Sequence, residues 1–398
     1  MRIAKRLLIL SGVAATLAAV AWTTIPVHAA VVKVPDPTKV VMIVDRDSND
    51  IAFMDIETKK IVGRTFLGNN VNPHMVMMSP DGRYVVTGGT RANKAYIIDA
   101  RTLELVKVIP VDIAPEHLAF SPDSRWYYQG NPEGDSISVI DMLSLTKIKT
   151  IPGFVEPLNT VFLPDGSKAY VGNYGAHWVG VIDVRRHELL KKIQVAAPPG
   201  VARLDPDKYL GEIKGINIPQ ITNDGQFLYA TDTDLGVAVK IDPREDKVIK
   251  TIRVGAEPWR IYMNHDGHYA ITPNNGDQTI SIIDLQTDKV AATLDAGPNM
   301  TGVNFAADKA FVISSTTGFV YVYDMKSLRP RGRIKIGTNI QLETATTDVK
   351  DEKIYLADST ENAVVIIDAR TEAFEKVLNV GLFPWGTHIM DSKDNYCH

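Results

Sequence analysis

Three histidines and an arginine recur at comparable points of this sequence: His74, His117, His388 and Arg260. A neutral imidazole binds zinc, copper or iron and can exchange a proton near neutral pH. Three converging imidazoles would suit zinc or copper, and His74 alone could ligate a haem iron. The chain ends in Cys397-His398, a soft ligand pair on what reads as a tail. The bland alternatives are channel-lining histidines satisfied by backbone carbonyls and a free terminal thiol. Cys397 is the sole cysteine, which excludes an internal disulfide framework and a Cys-x-x-Cys-His haem attachment.

Other strings fall short of a site. Asp45-Arg46-Asp47-Ser48-Asn49-Asp50 begins like a calcium loop, but Asp50 stands where the sharp turn needs Gly and Ile56 where a bidentate Glu belongs. Thr231-Asp232-Thr233-Asp234 occupies the same turn of another repeat. Glu212 with Asp205 and Asp207 reads as a charged loop. No Ser/His/Asp arrangement, phosphate-cradling glycine loop or helical metal motif is present.

The elements that position these residues are repeats. An apolar pair (Lys240-Ile241 in one copy) followed by Asp, often with Thr or Ser three residues on, recurs at Asp55, Asp99, Asp141, Asp183, Asp242, Asp284, Asp324 and Asp368, spaced 44, 42, 42, 59, 42, 40 and 44. Each copy holds short β-branched and aromatic runs between turns such as Ser79-Pro80-Asp81-Gly82. Four strands per forty-odd residues predict a blade of an all-β propeller. The first copy lacks its innermost strand, and Pro384-Trp385-Gly386-Thr387-His388-Ile389-Met390 supplies one. Eight four-stranded antiparallel blades are expected, the ring closed by pairing the N- and C-terminal strands.

Aligning the eight innermost strands on the turns that follow them predicts one ring: His74-Met75, Glu116-His117, Leu158-Asn159, Asn217-Ile218, Trp259-Arg260, Thr301-Gly302, Thr344-Ala345 and Thr387-His388. The spacing of 59 marks an insertion at about 197–214. It mixes Pro198, Pro199, Arg203, Tyr209 and Leu210. Long loops on rigid scaffolds tend to be functional, so these residues are expected to contact a partner or cap the channel. A tolerated insertion is the alternative. Trp126, Trp178, Trp259 and Trp385 could anchor an interface, although core packing would account for most of them.

Residues 1–29 read as a cleaved signal peptide. Arg2, Lys5 and Arg6 precede an apolar run from Leu7 to Trp22, and Val27 and Ala29 stand where a signal peptidase expects small residues. That leaves 30–398 as a single propeller domain, exported and most simply periplasmic. The formal net charge is −4; losing three cations and no anion makes it about −7, no invitation to nucleic acid. With 45% hydrophobic residues the chain has ample core.

Lys168-Ala169-Tyr170-Val171-Gly172-Asn173 followed by Gly180-Val181-Ile182-Asp183 resembles the YVTN-type propeller repeat, and the resemblance covers nearly all of the mature chain. An eight-bladed exported member is similar to the haem d1-like propellers. The string from His74 to Tyr84 resembles their strand carrying the proximal haem ligand. That resemblance implies haem d1 binding or maturation through His74, with His117, Arg260 and His388 as cofactor neighbours. It also puts Trp259 and Asn304 where cytochrome cd1 has proton-donating histidines. Neither can act as an acid, so catalysis of that kind is not expected. The chain is also similar to cofactor-free propeller subunits of the hydrazine synthase beta type. These imply docking onto a haem-containing periplasmic redox complex of nitrogen metabolism, without catalysis by the propeller alone. A metal-dependent lactonase-type hydrolase ranks last, since the ring offers only Glu116, Asn159 and Asn217 for a metal cage.

Overall fold

The computed structural model describes residues 31–195 and 214–394. Among these, eight four-stranded antiparallel sheets form an all-β, eight-bladed propeller, as the repeat predicts. Residues 1–29, expected to be a signal peptide, the insertion with Pro198, Pro199, Arg203, Tyr209 and Leu210, and Cys397-His398 lie outside the described residues. No described helix is long and apolar enough to cross a membrane.

Closure follows the expected route. Val40–Asp45, Asp50–Asp55 and Ile61–Phe66 form three strands of blade 1, and Pro384–His388 completes it, pairing Met42 with His388 and Ile43 with Thr387. The repeat marker has a local cause. In each copy the Asp carboxylate caps the turn after the third strand, as Asp99 Oδ1 does for the backbone N–H groups of Arg101 and Thr102. Asp368 does the same for Arg370 and Thr371. Such Asx turns need a short acceptor side chain at one position.

Burial explains why the inner strands read as continuous apolar runs. Val40–Asp45 is buried throughout, whereas the outermost strand of blade 2, Leu105–Pro110, is largely exposed. Each core lies between two blades. Met42 and Phe53 pack with Val85 and Ile98 across blades 1 and 2, and Val41, Ile43 and Ala52 pack with Tyr355 and Val364 across blades 8 and 1. The closing seam is therefore as apolar as the others. Polar ties reinforce the ring: Asp246 accepts from Tyr170 and Lys168 of the preceding blade at 2.6 and 2.7 Å.

Candidate functional site

Five innermost strands begin with a bulge; in three of them, those of blades 2, 4 and 8, two residues face one on the next strand, and in the other two a single residue is extra. Pro73 pairs with Gly89 and Val76 with Thr87, so His74 and Met75 both oppose Gly88. Leu158-Asn159 oppose Gly172 in the same way. Glycine is required there because the next blade's backbone comes close. A Cβ on Gly172 would lie 1.7 Å from the Asn217 carbonyl oxygen, and one on Gly88 would lie 2.7 Å from that of Pro115.

The bulges define the ring, and they correct two of its members. Leu342 pairs with Asp358 and Ala345 with Leu356, which puts Glu343-Thr344 in the bulge and not Thr344-Ala345. Pro384 pairs with Asp45 and Gly386 with Val44, which puts Trp385 alone there and not Thr387-His388. The first ring residues are thus His74, Glu116, Leu158, Asn217, Trp259, Thr301, Glu343 and Trp385. Their spacing is 42 everywhere except the 59 between Leu158 and Asn217. A signal was present in the sequence: Pro73, Pro115, Pro157, Pro258 and Pro384 each precede a ring residue. Proline lacks the N–H that a regular ladder would use there.

His388 does not join His74 and His117. It sits two to three residues further down the channel, on the order of 7–10 Å, at the level of Met77, Gln220, Asn304 and Thr346. Among the described residues no three His, Cys, Asp or Glu side chains are placed to hold a metal ion, so the three-imidazole centre does not form. His74 and His388 border a void of about 10 Å³ between the two levels, room for barely one water.

At the upper mouth His74 packs edge-on against His117, ring centroids 5.9 Å apart, and tilts over Trp385 at 5.3 Å. Arg46 covers the other side of the Trp385 site, 4.3 Å from its ring, and donates to Asn72 Oδ1 at 2.7 Å. Opposite lies Trp259, with Arg260 at 5.3 Å and Tyr174 edge-on at 6.0 Å. Trp259, Trp385, Arg46 and Tyr174 all keep part of their surface in solvent. Both ends of the undescribed insertion reach this mouth: Val195 donates to His177 O, and the Lys214 backbone exchanges hydrogen bonds with Asp234. Trp178 instead packs in a core against Phe154, and Trp126 packs against His187 near the opposite face.

The electrostatics follow from burial. Burial, then the cations Arg46 and Arg260, pulls the His74 pKa down to about 3. Burial likewise holds His117 well below its ordinary value and takes His388 to about 4. The carboxyls of Glu116 and Glu343 are raised, mainly by burial. Ser359 donates to Glu343 at 2.7 Å. Neutral imidazoles with free lone pairs can serve as ligands or acceptors. Yet the Nδ1 atoms of His74 and His117 are buried without a hydrogen-bond partner, whereas a metal-bound imidazole ordinarily has its second nitrogen anchored.

The depressed histidines give a pH prediction. The unfolded chain binds their protons below about pH 6.5 and the folded chain does not until about pH 3–4, so stability is lost as pH falls through that window. Asp45, raised to about 9 by burial and by Asp50, acts in the opposite sense as pH rises from 3.8 to 9. Denaturant midpoints of a His74→Gln/His388→Gln variant should therefore fall less steeply between pH 6.5 and 4.5 than those of the parent. An unchanged slope would contradict the burial of both rings.

Residues 1–125 match the Cytochrome D1 heme domain family, a stretch that includes His74 and Glu116-His117. No curated protein matches the chain significantly. Among solved structures it is similar to the dihydro-heme d1 dehydrogenase NirN in complex with DHE, at 17% identity and a TM-score of 0.74, covering 89% of this chain and 76% of that one. It is also similar to a chain of Kuenenia stuttgartiensis hydrazine synthase, at 20% identity and a TM-score of 0.56, covering 78% and 97%. A functionally unknown protein from Desulfotomaculum acetoxidans DSM 771 aligns at 12% identity and a TM-score of 0.56, covering 88% and 98%. In fold, the chain is an eight-bladed propeller.

Proposed function

We propose that this chain is a binding subunit of an exported redox assembly of nitrogen metabolism, non-catalytic alone, which presents its upper mouth to a haem-containing partner. One observation carries the reading. The mouth holds two aromatic–guanidinium pairs, Trp385 with Arg46 and Trp259 with the buried Arg260, and Tyr174 flanks the second; Trp385, Arg46, Trp259 and Tyr174 keep part of their surface in solvent. Aromatic and arginine side chains held rigidly around a mouth are the composition of interface hot spots. The burial-raised carboxyls Glu116 and Glu343 add acceptors between the cations. The likeness to nearly the whole of a hydrazine synthase chain supports a role of this kind, and the leader read at 1–29 would place it in the periplasm.

A second reading, haem d1 binding or maturation through His74, is favoured by the family match around that residue and by the likeness to NirN. His74 is neutral and has no hydrogen bond among the described residues. Arg46 and Arg260 could meet the carboxylates of a tetrapyrrole. The missing anchor on Nδ1 ranks this reading second.

Absorption spectra separate the two. The purified mature chain is expected to show no Soret band, alone or after adding haem and desalting. A retained band that disappears in His74→Ala would overturn the docking reading and establish the other.

A further inference from the structure

We propose that the opposite mouth of the channel is a separate binding site, for an uncharged organic molecule bearing amide or hydroxyl groups. The site does not rest on the reading of the upper mouth, from which the packed level around His74 and His388 divides it.

A cavity of about 620 Å³ opens there, within the roughly 300–1,000 Å³ typical of small-molecule sites. Three neutral polar side chains line it with bonding capacity unused. Asn159 is 5% exposed, and its buried Oδ1 accepts no hydrogen bond. Gln220 and His388 have no hydrogen-bond partner among the described residues, and His388 stays neutral down to about pH 4. Gln220 and His388 can accept a ligand N–H or O–H, and the Gln220 amide can donate to a ligand carbonyl; the Asn159 Oδ1 atom itself is closed off from solvent. The apolar wall includes Met77 and Phe120; thioethers adapt to irregular shapes.

Charge decides the ligand class. Lys393 at the rim is held by Asp351 at 2.7 Å. His265 is held by Asp351 at 3.1 Å and by Asp394 at 2.7 Å. Asp391, also at the rim, is exposed to solvent. A charged ligand would therefore enter without a dedicated counter-ion, at a desolvation cost that a neutral one avoids.

The test uses the mature chain with ¹³C-methyl methionine, since Met77, Met78 and Met390 line the cavity and Met42 and Met54, buried elsewhere, are internal controls. The probes are indole-3-acetamide, indole-3-acetate and tryptamine, matched in size and differing in charge. The amide is expected to shift the cavity methionines saturably at millimolar concentration or below, with both charged probes at least tenfold weaker. Gln220→Leu, at a half-buried position that tolerates change, should weaken the amide at least fivefold with the thermal transition preserved. No shift with the amide, equal binding of a charged probe, or an unaffected Gln220→Leu variant would overturn the proposal.

Discussion

Asp394→Ala is expected to lower the stability of the propeller by about 3 kcal/mol, although the residue lies beyond the last strand. Its side chain is 1% exposed. It accepts from Asn304 Nδ2 at 2.8 Å, from His265 Nε2 at 2.7 Å and from the Thr347 hydroxyl. It thereby ties the chain end to blades 6, 7 and 8 after blade 1 has closed the ring. Removing it strands two buried donors and the partly buried His265, a buried donor being worth about 1–3 kcal/mol when unmet, with partial relief as water enters. Asp394→Asn keeps an acceptor and should cost less. Burial pulls the His265 pKa down, but the hydrogen bond and charge of Asp394, with Asp351, outweigh it and leave the pKa raised. A raised histidine contributes stability below its unfolded value of about 6.5 and loses it as pH rises through the folded value. The gap between parent and Asp394→Ala should therefore narrow in alkaline buffer. Denaturant unfolding at two pH values checks both statements; a loss under about 0.5 kcal/mol would refute the latch.

Trp259→Ala is expected to weaken association with the haem-containing partner about 30-fold or more, about 2 kcal/mol, with the blades intact. Trp259 stands in the upper ring with one side toward Tyr174 and part of its surface in solvent, so truncation removes contact area at the mouth more than core. Trp385 is the harsher test, because it also packs against the core cluster between blades 1 and 2; Trp385→Ala should cost stability as well as affinity. Arg46→Ala should slow association and reduce its salt dependence. Calorimetry on the reconstituted complex measures all three.

Much of the fold was legible because its signals are local. An Asx turn needs its Asp within three residues of the N–H groups it caps, so eight copies stand out by eye. A half-blade at each end predicts the closure. The upper ring was legible for six blades, where His74, Glu116-His117, Leu158-Asn159, Asn217, Trp259-Arg260 and Thr301 all hold. It slipped by one residue at Glu343 and by two at Trp385. The following turn was used as the ruler, and in blade 1 no such turn exists, because its second strand lies at the other end of the chain. The bulge is the true ruler, and the prolines before it announce it. The far mouth left no trace in pattern. His265 and Asp394 are 129 residues apart, and nothing local relates them.

The central claim is that the Trp–Arg mouth is the surface a partner covers. Hydrogen exchange of the native complex against the free chain tests it most directly. Protection is predicted in the hairpins around Arg46, Tyr174–His177 and Asn275–Asp277 and at the start of the strand following Trp259, with the outer strands such as Leu105–Pro110 and the turns at the far mouth unchanged. Protection confined to outer strands or to the far mouth would contradict the account.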